Sequence, residues 1–219
     1  MTVRFSRTSH AETQRTFAKP SIVTVYGHEA GQSLADAIGI DHISFTGSAR
    51  VGTNIAQSAA KRCIPVTLEL GGKSPQIAFA DANLDEAIPV IANAIIQNAG
   101  QTCSAGPRLL VEASVYERVL EAVGQRIKAL KVGPAAMDLD VGPLIRANQL
   151  ERVNGFLREA ENANLRTIAP GSIAAEAPET GFYATPTLIA GVPADAKLAQ
   201  GEVYEPVLSA NMILSLFVD

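Results

Sequence analysis

The residue types that could do chemistry concentrate in two short segments, Glu69-Leu70-Gly71-Gly72-Lys73-Ser74 and Gly100-Gln101-Thr102-Cys103. The first sets a carboxylate beside a glycine pair; the second carries one of only two cysteines. A thiol attacks a carbonyl as the thiolate, and a water that later releases the acyl group needs a base. Covalent chemistry on a carbonyl carbon therefore calls for these two residue types. Cys103 has Gly100 before it and Gly106-Pro107 after it, which lets backbone approach a ligand and leaves its own N–H to face an oxyanion. An isolated cysteine is as often a small, inert core residue. Glu69 closes the apolar run Pro65-Val66-Thr67-Leu68, at the kind of strand end where open α/β sheets bind ligands. By itself such a glutamate is more often solvated, or a partner of a neighbour such as Lys73.

A third segment, Phe45-Thr46-Gly47-Ser48 with Gly52 beyond it, reads as a strand turning into a helix. Backbone N–H groups at a helix N-terminus suit a phosphate. The spacing is not the Gly-x-Gly-x-x-Gly fingerprint, and alone it describes an ordinary strand-to-helix turn. His10, His28 and His42 have no metal-ligand spacing with the cysteines, so no metal is expected.

Positioning these segments requires alternating strands and helices. Short apolar runs at Ile22–Val25, Ile43–Phe45, Val66–Leu68, Gln76–Phe79, Arg108–Glu112, Leu165–Ala169 and Thr187–Ile189 predict strands. Helices are expected over His28–Ala37, from Gly47-Ser48 through Ala59, and from an Asn83 cap through Ile96. Others are expected after a capping box of Ser114 and Glu117, ending at Gly133-Pro134, and over Leu150–Ala160. Cys103 then falls in a loop after a helix. The alternation predicts an α/β fold.

Composition excludes several classes. Of 219 residues, 47% are hydrophobic and 18% charged, enough to bury a core. The net charge of −4, without a long basic run, argues against a nucleic-acid or anionic-membrane surface. The apolar stretch Ala87–Ile96 is too short to span a bilayer. Cys63 and Cys103 sit in unlike settings and do not suggest a disulfide framework, so a reducing compartment is expected. The head before Pro20 is weakly basic, faintly like a transit peptide, but lacks an amphipathic period and is better read as a loose terminus.

The chain resembles the aldehyde dehydrogenase superfamily, in which an E-L-G-G-K segment precedes a G-Q-x-C segment at the separation found here. Glu202-Val203-Tyr204-Glu205-Pro206-Val207 is similar to the family's E-I-F-G-P-V segment. Gly142-Pro143-Leu144-Ile145 and Phe182-Tyr183-Ala184-Thr185-Pro186-Thr187 extend the likeness, which runs from about Val23 to Leu208. The resemblance implies a partial Rossmann-like cofactor domain over 21–70 joined to an open-sheet catalytic domain over 71–219, with an unplaced head, 1–20. It implies that Cys103 is the nucleophile and Glu69 the deacylation base. It also implies that Gly47, Ser48 and Gly52 receive a dinucleotide pyrophosphate, and that Leu70 and Gly71 lie against the nicotinamide. Glu202 then holds the nicotinamide ribose and Tyr204 packs by the ring. Two departures stand out: Glu205 replaces the family's glycine, and Gly201 replaces a common acidic residue.

The implied activity is oxidation of a small-molecule aldehyde to an acid with NAD or NADP, in a cytoplasmic protein whose family forms homo-oligomers. The resemblance covers less than half the usual subunit, without its opening strands, its oxyanion asparagine or its C-terminal part, so weak or no turnover is expected of this chain alone. Two alternatives stay open. Glu69, Lys73 and Cys103 also make the residue set of a nitrilase-like hydrolase, and a chain with unpaired sheet edges could be a non-catalytic segment that associates with a fuller partner.

Overall fold

The computed structural model describes Ile22 and residues 26–214. The head before Pro20, most of the strand expected over Ile22–Val25, and the last five residues lie outside them. The fold is mixed α/β with mostly parallel strands, as the alternating pattern predicts, and it divides into two compact units, Met1–Gly71 and Gly72–Asp219.

In the first unit a π-turn, Gly27–Gly31, runs into the short α1 (Gln32–Asp36). β1 (Ile43–Gly47) and β2 (Val66–Leu70) pair in parallel with α2 (Ala49–Ala60) as their crossover. The register sets Gly47 opposite Leu70 and Thr46 opposite Glu69. The core is Ile43, Phe45, Ile55 and Ala59, with Val66, Leu68 and Leu70 packed against it. Ser48 starts α2 from an extended backbone, its side chain accepting the Val51 N–H.

The second unit is built on a five-stranded sheet, β3-β4-β9-β8-β6. Its strands are β3 (Pro75–Ala78), β4 (Arg108–Glu112), β6 (Arg166–Pro170), β8 (Thr187–Ala190) and β9 (Val207–Ile213). All neighbours are parallel except β6 with β8. Helices α3 (Leu84–Ile96) and α4 (Tyr116–Ala129) cover one face, packing Ile91, Ile95, Val119, Val123 and Ile127 on Leu109, Leu188 and Leu208. The two-residue strands β5 (Lys131–Val132) and β7 (Ser172–Ile173), with α5 (Ala147–Asn162) and α6 (Lys197–Gln200), complete the unit. Val132, Val153, Ala160 and Leu198 form a second core with Ile189 and Val207. Alternate residues of β8 and β9 thus face opposite layers, as a sheet covered on both sides demands.

Several local expectations are corrected. Asn83 has the extended backbone of a cap and its carbonyl accepts the Ala87 N–H at 2.9 Å, but its side chain caps nothing. The capping box of Ser114 and Glu117 does not form. Ser114 lies in a 3-10 turn and donates to Glu112, while Glu117 accepts two bonds from Arg166, at 2.9 and 2.8 Å, because a charged partner outcompetes a local amide. α4 ends at Ala129, before Gly133-Pro134, because Lys131–Val132 is taken into pairing with β7. β9 lies outside every strand expected from the sequence. It is the middle strand of the sheet.

Candidate active site

Cys103 sits, exposed, between α3 and β4 in a loop that is pinned at both ends. Beyond α3 the backbone turns left-handed at Asn98, Ala99 and Gly100. Gln101 fastens that turn. Its Nε2 donates to the Asn98 carbonyl at 3.2 Å, its Oε1 accepts the Ile145 N–H at 3.0 Å, and Asn98 Nδ2 returns a bond to the Gln101 carbonyl. On the far side Gln76 Nε2 donates to the carbonyls of Gly106 and Ile91, at 2.7 and 3.2 Å, and Ser209 Oγ to that of Pro107 at 3.0 Å. An exposed thiol is thereby carried on a rigid frame. Among the described residues nothing accepts the Cys103 N–H, so that donor remains available to an oxyanion.

A small cleft beside this loop is lined by Cys103, Gly72, Gly100, Glu202, Tyr204 and Glu205, among others. The loop from α6 to β9 therefore brings Glu202 and Tyr204 to the thiol. Tyr204 has φ +67, a left-handed backbone uncommon for a bulky side chain. Arg152, on α5, donates to the Glu202 carbonyl and lies over the Phe156 ring. Glu205 is 1% exposed, and neither carboxylate oxygen has a hydrogen-bond partner. Burial pushes its pKa up to about 7, opposed by the charge of Arg152. Its backbone packs on Gly100, where a Cβ would meet the Glu205 carbonyl.

Lys73 and Arg108 add two buried nitrogens without partners, Nζ and Nε. Burial lowers the Lys73 pKa to about 8, Arg108 adding to the effect and Glu202 opposing it. Arg108 was read from sequence only as the start of a strand; its place directly after Gly106-Pro107, at the foot of the loop, is the signal that it stands near the site. Burial first, then the charges of Cys103 and Glu202, raise the Tyr204 pKa.

In the first unit Gly47, Ser48, Gly52 and Leu70 come together. Gly47 pairs with Leu70 across β1 and β2, and a Cβ at Gly52 would collide with the Leu70 side chain, so α2 packs closely on the strand end. Glu69 is the penultimate residue of β2, and Gly71 follows it. The first turn of α2 carries no acidic residue and does carry Arg50, a fitting N-terminus for an anion. A larger groove between α5 and β6, lined by Asn154, Arg158, Glu161 and Thr167, holds no nucleophile.

Comparison with known proteins adds three findings. The profile of the aldehyde dehydrogenase family matches residues 20–215, beyond the Leu208 limit expected from the motifs. The Bacillus subtilis (strain 168) protein DhaS is 36% identical over 191 residues, 87% of this chain and 38% of its own length. Two solved structures superpose closely. A Burkholderia cenocepacia protein has 54% identity and a TM-score of 0.86, over 88% of this chain and 40% of its own. An aldehyde dehydrogenase from Bacillus cereus, in complex with NAD+, has 34% identity and a TM-score of 0.80, over 87% of this chain and 38% of its own. The chain thus spans about two fifths of the length of these relatives.

Proposed function

The chain belongs to the aldehyde dehydrogenase family, and on that premise we propose that it carries the thiol chemistry of aldehyde oxidation to a carboxylic acid, with NAD or NADP as partner. The observation that carries this reading is the placement of Cys103: exposed, on a pinned loop, with its N–H unengaged and with Glu202 and Tyr204 in the same cleft.

The roles follow from the chemistry of each group. Cys103 Sγ, as thiolate, adds to the aldehyde carbon and the carbonyl oxygen takes the negative charge, to which the Cys103 N–H is free to donate. Glu69 is the base for the water that displaces sulfur from the thioester, taking one proton as the acid forms and Cys103 leaves as thiolate. Each unit carries donors that suit part of a dinucleotide. The N-terminus of α2, with Gly47, Ser48 and Gly52, suits a pyrophosphate, Leu70 and Gly71 offer backbone to the ring, and Glu202 can accept ribose hydroxyls beside Tyr204. When bound, the nicotinamide supplies the hydride acceptor of the reaction.

The test is the burst of p-nitrophenol from p-nitrophenyl acetate by the chain and by Cys103→Ala, since acylation of the thiol needs no dinucleotide. A burst lost in the variant supports the assignment; a burst of equal size in both removes it. A rise of the thermal midpoint with NAD+ separates this reading from a hydrolase that binds no dinucleotide.

A further inference from the structure

We propose that the Tyr204 phenol is a hydrogen-bond donor to the Cys103 thiolate, a partner of the sulfur and not only a surface for a cofactor ring. The inference rests on Cys103 being the nucleophile. Tyr204 and Cys103 line one small cleft, and their side chains come from different segments, the α6–β9 loop and the α3–β4 loop. Tyr204 stands there at a cost, because its backbone is left-handed at φ +67. Such outliers persist where the surroundings over-determine them, and they gather at functional sites. The surroundings are on hand: next door, the Glu205 carbonyl packs on Gly100, itself at φ +73, locking the two loops together.

Phenylalanine, the residue of the resembling motif, would serve a purely apolar role. The added hydroxyl meets the sulfur's charge, which, with burial, holds the phenol protonated and therefore able to donate. A thiol is a weak acceptor, and a thiolate accepts far more strongly. The other ionisable groups around Tyr204 are Glu202 on its own loop and the buried Glu205 beside it. Lys73, just before β3, acts on Glu202 and is itself opposed by Arg108, and Arg152 on α5 holds the Glu202 carbonyl.

The test is alkylation by iodoacetamide, which forms a C–S bond and releases iodide, followed at Cys103 and Cys63 separately by peptide mass spectrometry. Cys63 is exposed and serves as the internal reference. Tyr204→Phe removes one oxygen from a residue 37% exposed, and the urea midpoint checks that the fold is kept. Removing the donor moves the ionisation step to higher pH but leaves a thiolate that is intrinsically more reactive. Cys103 is therefore expected to react roughly threefold more slowly in the variant at about pH 7, and roughly threefold faster at about pH 9.5. The crossing is the signature: a change in packing alone shifts both rates in one direction. Equal rates, as when Glu202 holds the phenol instead, or a one-directional change, overturn the proposal. A wild-type Cys103 no faster than Cys63 at about pH 7, with no crossing in the variant, removes the nucleophile assignment as well.

Discussion

Gly100 leaves no room for a side chain because the Glu205 carbonyl and the Pro206 nitrogen occupy the place of its Cβ. With φ at +73 it is also in the left-handed region. This contact ties the loop that presents Cys103 to the loop that presents Glu202 and Tyr204. Gly100→Ala is expected to lower the unfolding free energy by about 2 kcal/mol or more, from backbone strain and overpacking together. Urea unfolding measures it, and Cys103 alkylation should slow in parallel. A variant as stable as the parent would show that the two loops are not locked.

Glu205 carries a pH dependence of definite sign. Its pKa in the folded chain is about 7, against an ordinary 4.5. Between those values the folded state holds a proton that the unfolded state has lost, so stability falls as pH rises through the window. The loss is absent below about pH 4.5 and complete above about pH 7, roughly 3 kcal/mol in all. Glu205→Gln lacks the titration, so it should match the parent at acid pH and exceed it at about pH 8. Unfolding midpoints at the two pH values decide the matter, and a difference independent of pH refutes it.

Glu69→Gln separates the two halves of the proposed reaction. Acylation by p-nitrophenyl acetate should survive, because the thiol performs it. Steady release should fall by about a hundredfold or more, the usual worth of a general base. Stopped-flow traces with an intact burst and a flat steady phase are the expected result. A variant that turns over normally assigns the base elsewhere.

Gln101 joins the Cys103 loop to the segment after β5 by accepting the Ile145 N–H. Gln101→Ala should cost no more than about 1 kcal/mol, since the exposed Ile145 amide that loses its acceptor can turn to water. Hydrogen exchange at the Ile145 amide should accelerate while that of the β4 and β9 amides holds. Uniform acceleration across the sheet would show a global effect rather than a local staple.

Much of this protein is legible in one dimension. Glu69, Cys103, Glu202 and the glycines around them stand in short segments whose residue types and order are read without a structure, and they point to the family. Short apolar runs predicted strands at Arg108–Glu112 and Thr187–Ile189, because a strand inside a sheet covered on both sides buries consecutive residues. Asn83 and the pair of Ser114 and Glu117 misled for a physical reason: a cap is a competition among acceptors, and Arg166, distant in sequence, won Glu117. Strand β9 escaped because Ser209 and Asn211 interrupt its apolar run, and only the fold gives the Ser209 hydroxyl its buried partner, the Pro107 carbonyl. Only tertiary structure decided that Glu205, a surface residue by type, would be enclosed without a partner. It also decided that Tyr204 would be bent left-handed and share a cleft with Cys103. Residue type and spacing are local properties of the chain, whereas burial, charge range and backbone strain exist only after distant segments have met.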